Sequence, residues 1–287
     1  MTACKKCLPP LLAAALLLGL IGCALLGRPA LQSDTVEEAV INEASGLASS
    51  IRTPGLLYTH NDSGGEAAVY VLNKRGLMPA KIVLNGASNR DWEDIATGID
   101  PRDGKPYVFV GEIGDNNARY PSVSIYRFAE PEILDTLITI SRIDRIEFTY
   151  EDGPRDAEAL FADPLSGDLY VISKREENCG LYRLPYPQSF DKANVASRVG
   201  SLPYNWVTAA DICPSGNRIL VKTYSDIYCY KRGRNQSVAE SLAGKHKLMR
   251  YKLEEQGEAV SFDEKGKGYL TISERLGETP VELYYYR

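Results

Sequence analysis

The chain has 287 residues, 44% of them hydrophobic and 25% charged, and a formal charge of −5. That is room for one large all-β domain or two small ones at ordinary globular composition. An acidic chain has no general attraction for phosphate backbones, so no nucleic-acid partner is expected. Eighteen Tyr against three Met suit strands better than helices.

The N-terminus reads as an export signal. Lys5 and Lys6 form a short positive region, and Leu8 to Leu20 is apolar but too short to span a bilayer comfortably. The run ends in Leu20-Ile21-Gly22-Cys23, which resembles the lipobox of bacterial lipoproteins. In that family the Cys after the small residue is acylated and becomes the first residue. The resemblance implies a signal peptide over 1–22, a lipid on Cys23, a tether over 23–35 and one mature domain over 36–287. It also implies a membrane partner and a place in the cell envelope, on the extracytoplasmic side of a bacterial membrane. The alternative is a plain signal peptide or anchor with an incidental Cys. Of the six Cys, Cys4 and Cys7 would leave with the signal and Cys23 would carry the lipid, which leaves Cys179, Cys213 and Cys229. Three is an odd number without zinc-site spacing, so they are expected to be small buried hydrophobes.

Along the mature chain one plan recurs. A small or acidic lead-in precedes a short apolar strand; a second strand ends in polar residues; a third is rich in Tyr. The first copy runs from Glu43 through Leu56–Asp62 to Ala68–Leu72. The second runs from Asp91 through Tyr107–Glu112 to Val123–Arg127, and the third from Asp156 through Leu169–Arg175 to Gly180–Leu184. The fourth takes Thr208, Ile219–Lys222 and Ile227–Tyr230; the fifth takes Gln256, Tyr269–Arg275 and Glu282–Tyr286. Weaker fourth strands follow at 80–84, 145–149, 197–201 and 247–251, and 129–142 has room for a helical turn. Aligning Ser45, Glu93, Glu158, Ala210 and Glu258 gives spacings of 48, 65, 52 and 48 residues. That is the length of a four-stranded propeller blade. The predicted fold is all-β, a five-bladed β-propeller whose last blade is closed by an N-terminal strand over 36–41, because a closed ring leaves no bare sheet edge. A pair of β-sandwiches would explain the strand density but not the repeated lead-in.

In such a ring the lead-ins converge on one channel mouth. Ser45, Glu93, Glu158 and Glu258 are candidate metal ligands, with Ala210 at the fourth position. Carboxylates left bare at ~5 Å repel by about 3 kcal/mol per pair at an effective dielectric near 20. Either their protons are held or a cation sits among them, and oxygen donors without Cys or His suit calcium. Capping of neighbouring backbone N–H groups is the alternative. The ends of the second strands add His60, Asp62, Glu112, Asp115 and Asn116 as candidate ligand-binding residues on one side. Lys174, Arg175, Lys222 and Arg275 are their counterparts on the other, a basic half that could grip an anion. The acids and amides are equally good turn formers.

Ser45-Gly46-Leu47, Glu93, Glu158, the Ile212-Cys213-Pro214 turn and Gly257-Glu258 resemble the calcium-activated nucleotidases (soluble apyrases), five-bladed propellers with calcium in the central channel. Their blade starts carry Ser in the first blade and Glu in the second, third and fifth. Ala210 departs from that pattern and offers no side-chain ligand, which leaves open whether Thr208 replaces one; the long inter-blade insertions of that family are missing, so its nucleotide specificity does not carry over. Asp91-Trp92-Glu93-Asp94-Ile95-Ala96 with Gly111-Glu112-Ile113-Gly114-Asp115-Asn116 resembles uncharacterised secreted bacterial propellers, which implies no activity. Two functions follow. One is an envelope binding propeller for a small or polymeric ligand, locked by calcium. The other is a calcium-dependent hydrolase of a phosphate ester or other small anion, with Arg175, Lys174, Arg275 and His60 as candidate catalytic groups.

Overall fold

The computed structural model describes residues 31–287. The expected signal peptide and the expected lipid on Cys23 fall outside the described residues.

Antiparallel meanders follow one another along the chain. The first is β2 (Ala44–Ser49), β3 (Leu56–Asn61), β4 (Ala68–Asn73) and β5 (Ala80–Leu84). The second is β6 (Trp92–Ile99), β7 (Pro106–Glu112), β8 (Val123–Ala129) and β10 (Asp144–Tyr150). Next come β11 (Ala157–Ala162), β12 (Leu169–Ser173), β13 (Gly180–Leu184) and β14 (Asn194–Ser201). They precede β15 (Val207–Ile212), β16 (Arg218–Thr223), β17 (Ile227–Lys231) and β18 (His246–Leu248). The last group is β19 (Gly257–Phe262), β20 (Tyr269–Ser273) and β21 (Val281–Tyr286), completed by β1 (Leu31–Val36) from the other end of the chain. The first strands pack around a closed circuit, β2 on β6, β6 on β11, β11 on β15, β15 on β19 and β19 back on β2. The architecture is all-β and propeller-like.

The strands form because each meander is covered on both faces. One apolar cluster lies in each gap between neighbours, for example Trp92, Tyr58 and Val110 between the first and second, and Tyr182, Phe148 and Leu160 between the second and third. Strands buried on both sides read as continuous apolar runs, as in Leu169–Ser173, where every residue is buried. Each fully buried large apolar side chain contributes about 1.5–3 kcal/mol. The turns from first to second strand carry Gly55, Gly104, Gly167, Gly216 and Gly266 at positive φ, where a side chain would be strained.

Three features differ from the sequence expectation. The clasp on β21 is Leu31–Val36, not 36–41, and so begins inside the stretch read as a tether. Val36 ends the strand, and the chain turns so that Val36 and Ile41 plug the same cluster. Residues 137–140 form a strand, β9 (Leu137–Ile140), parallel to β5, where a helical turn was expected. Extended Leu137-Ile138-Thr139-Ile140 gives the β5 edge a partner, with Ile138 and Ile140 packed on the core. Among the described residues the one helix is the single turn α1 (Val238–Leu242), capped by Ser237 and Glu240.

Candidate functional site

Every first strand carries the same irregularity. The register to the second strand slips between Ala44 and Gly46, Trp92 and Asp94, Ala157 and Ala159, Val207 and Ala209, and Gly257 and Ala259. The residues skipped are Ser45, Glu93, Glu158, Thr208 and Glu258. A bulge re-aims its extra residue out of the ladder, and here it does so at one level of the circuit. The fourth position is therefore Thr208, not Ala210. The sequence alignment erred because Thr208-Ala209-Ala210-Asp211-Ile212 matches the apolar run of its neighbours equally well in two registers.

The ring is buried, with Ser45, Glu93, Glu158, Thr208 and Glu258 between 0% and 5% exposed. Two members are spent on the circuit itself: Ser45 Oγ donates to the Glu93 carbonyl at 2.7 Å, and Thr208 Oγ1 to the Gly257 carbonyl at 3.4 Å. Lys174 enters from the end of β12 and pairs with Glu158, and its Nζ is 4.0 Å from Glu258 Oε1. Tyr224 donates its hydroxyl to Glu258 Oε1. The Lys174 ammonium also lies 5.3 Å from the Tyr224 ring centre. Sequence reasoning missed Tyr224. Because Val207 pairs with Thr223 and Ala157 with Ser173, Tyr224 and Lys174 occupy equivalent positions.

On the Glu93 side acid accumulates. One carboxylate oxygen each from Asp62, Asp91 and Glu93 lie within 4.8 Å of one another, as do one each from Glu93, Asp156 and Glu158. Asp62 Oδ1 and Glu158 Oε2 are buried with no hydrogen-bond partner. Burial, reinforced by Glu158 and Asp62, holds Glu93 well above the usual carboxylate range; burial and Glu258 do the same for Glu158 against the pull of Lys174. Burial, then Asp91, pushes Asp62 up to about 7, and burial, then Glu258, pushes Glu274 up to about 8. Gly114 closes this side, and a methyl group there would overlap both Glu93 Oε1 and the Asp91 carboxylate.

The rim above is knitted across meanders. Arg175 Nε donates to Asp156 Oδ2 at 2.5 Å and its Nη2 to Asn116, and the guanidinium lies 5.4 Å from the Trp206 ring centre. The Asp115 N–H donates to Asp156 Oδ1 at 2.9 Å, and Asp115 accepts from the Tyr120 N–H. Glu112 leaves Oε2 buried without a partner, 3.9 Å separating its other oxygen from Arg90 Nε. Trp206 is exposed and held at a φ of 55° by its N–H bond to the Lys174 carbonyl. A non-glycine residue there stores strain of the kind that collects at functional sites. Neither Trp206 nor Arg90 had a repeat signal in the sequence.

The expected division into an acidic and a basic half does not occur. Lys174 is 6% exposed and neutralises the ring instead of facing a rim ligand. Lys222 is sealed beneath, donating to the Thr223 carbonyl at 3.0 Å and to that of Gly257, and burial lowers it to about 8. His60 is fully buried, Nδ1 2.9 Å from the Asn61 carbonyl and its ring edge on Trp92, and burial lowers it to about 4. A ring so enclosed presents no nitrogen to a substrate. Arg275 is partly buried at the junction with Asn42, where Nε and Nη2 find no partner. Of the four expected cations, Arg175 alone joins the rim beside the acid cluster.

Deeper in the channel, Asp94 ties three first strands together, accepting from the N–H groups of Ile95 (2.9 Å), Leu160 (2.8 Å) and Ala210 (3.4 Å). Asp211 continues the tie, accepting from Ile212 and Phe262.

No family model matches the chain, and no curated protein matches it. Among solved structures it is similar to a chain of a nidogen–laminin complex, at 14% identity and a TM-score of 0.47 over 81% of this chain and 73% of that one. It is also similar to a luciferin-regenerating enzyme, at 10% identity and a TM-score of 0.48 over 90% of this chain and 95% of that one.

Proposed function

We propose that the protein is a five-bladed propeller lipoprotein, anchored through Cys23 in the cell envelope, that binds calcium off the channel axis and an oxygen-rich anionic ligand above it. The observation that carries this reading is the pair of carboxylate triads sharing Glu93, with the buried oxygens Asp62 Oδ1 and Glu158 Oε2 left without partners. The donors are oxygen only, the chemistry of a hard cation. Lys174 already neutralises the Glu158–Glu258 side, and Asp156 is held by Arg175 and the Asp115 N–H, so the residues that fit an ion are Glu93 with Asp62 and Asp91, with the free Glu158 Oε2 beside them. Ser45 and Glu258, which the apyrase-like pattern would include, are engaged elsewhere. Arg175 and Asn116 at the rim are placed to meet an anion held by the ion.

Isothermal titration with calcium tests this reading. One saturable site that is lost in Glu93→Gln and kept in Ser45→Ala supports it; no binding at millimolar calcium rejects it.

A hydrolase is the second reading. It draws support from Asp62 and Glu274, raised to about 7 and 8 and so able to exchange protons near neutrality. Calcium-dependent turnover of a phosphate ester, lost in Glu274→Gln, would favour it over binding alone.

A further inference from the structure

The far end of the channel differs from the carboxylate mouth. There the first strands finish and turn back, and a cavity of about 300 Å³ opens between Ile51, Ile99, Ala162, Ile212, Pro214 and Phe262. Its edge is apolar and protruding: Ile51 is 39% exposed, Ile99 51%, and Leu165 of the neighbouring turn 63%. The acids of these turns are turned inward. Asp100 is buried against Arg127, Asp163 against Arg232, and Asp263 accepts from the Lys267 and Gly268 N–H groups. Arg102, Lys105, Lys265 and Lys267 are exposed, with Asp103 the exposed acid among them. The rim of the cavity is therefore apolar and its turns carry more exposed cations than acids, while Glu132 and Glu264 nearby are paired with Arg52 and Lys74.

The described chain also begins here. Leu31 pairs with Tyr286, Tyr286 with Tyr269 and Tyr269 with Phe262. Phe262 ends β19 at the end away from Glu258, so Leu31 lies on the face of the cavity. Cys23 is eight residues upstream, a span of at most roughly 29 Å at 3.3–3.6 Å per residue.

We propose that this far face lies against an anionic lipid bilayer, with Ile51, Ile99 and Leu165 at the headgroup boundary and the carboxylate mouth turned outward. The proposal rests on the lipid at Cys23 put forward above. A short tether leaving from one face brings that face to the membrane. Apolar protrusions flanked by Lys and Arg are what an interfacial contact with anionic headgroups requires. The candidate site is then open to ligands arriving from outside.

Tryptophan quenching tests the orientation. Trp92 is buried and Trp206 stands at the opposite mouth, so the native protein reports from the outward face. The full lipidated chain is placed in phosphatidylethanolamine–phosphatidylglycerol vesicles with brominated acyl chains, as native protein, Ile99→Trp and Leu165→Trp. We expect the native emission to be unquenched and the emission added by each variant to fall at least twofold. The second variant covers misfolding of the first. Quenching of the native emission, or none in a folded variant, overturns the orientation while flotation with the vesicles still shows the anchor. A chain that does not float overturns both.

Discussion

Lys174 and Glu158 form an ion pair inside the channel where each is at most 6% exposed, so the ring supplies its own cation. The pair is worth little against an apolar substitute, but breaking it is costly, because the remaining charge has lost both water and partner.

Lys174→Ala should therefore lose about 3–5 kcal/mol of stability in chelator. Calcium should restore part of that loss, since an ion would then be the remaining counter-charge for Glu158 and Glu258. Urea denaturation with EDTA and with calcium measures both; equal losses in the two conditions would separate the ion from the ring.

For the native protein, calcium that binds the folded state alone stabilises it by about 2.7 kcal/mol at a hundred times its dissociation constant. Glu93→Gln should abolish the thermal shift. Gly114→Ala should do the same with the carboxylates intact, because the added methyl overlaps Glu93 and Asp91. Glu258→Gln should keep the shift. A response retained in Glu93→Gln would move the ion elsewhere.

Proton linkage gives a third expectation. Burial raises Asp211 from 3.8 to about 7. Its stabilising share is complete below pH ~4, where both states are protonated, and is lost as pH rises to ~7, because the folded state holds the proton longer. Asp62 and Glu274 act in the same direction up to about 7 and 8. Stability in chelator should fall from pH 5 to 8, and Asp211→Asn should remove up to one proton from the slope. An unchanged slope in the variant would mean that Asp211 titrates normally.

The clasp gives a fourth. Asp34 of β1 pairs with Leu283 of β21. Adjacent residues of an edge strand alternate between donating to the ladder and facing outward, so one of Asp34→Pro and Thr35→Pro should remove a ladder donor and destabilise the domain more than the other. Amide exchange should accelerate through β21 before β12; uniform acceleration would show that the clasp is not a separate unit.

The sequence made the strands and the channel mouth legible to different degrees. The strands were readable because burial on both faces leaves continuous apolar runs with glycine turns between them, so β12 and β20 stand out unaided. The ring was readable at Glu93, Glu158 and Glu258 because charge amid apolar residues is conspicuous. At the fourth position the sequence left Thr208 and Ala210 undecided, since a hydroxyl beside two alanines gives little contrast and a bulge leaves no signature in composition. Lys174 and Lys222 were misplaced for one reason: charge suggests solvent, whereas a long side chain can carry an ammonium to a buried carboxylate or carbonyl. Trp206 was silent because its position depends on backbone conformation.

The clasp also sets an order of events. β21 cannot be completed on its outer side without β1, and the circuit β19 on β2 cannot close until both ends of the domain are present. The earliest strand of the domain to leave the ribosome must therefore wait, unpaired, for the last. For the exported chain proposed above this is an advantage, since its first strand remains unpaired and transportable until the C-terminal segment has followed. Loss of only a few residues beyond Leu283 would strand the N-terminal segment, and the defect would surface as failed folding and proteolysis.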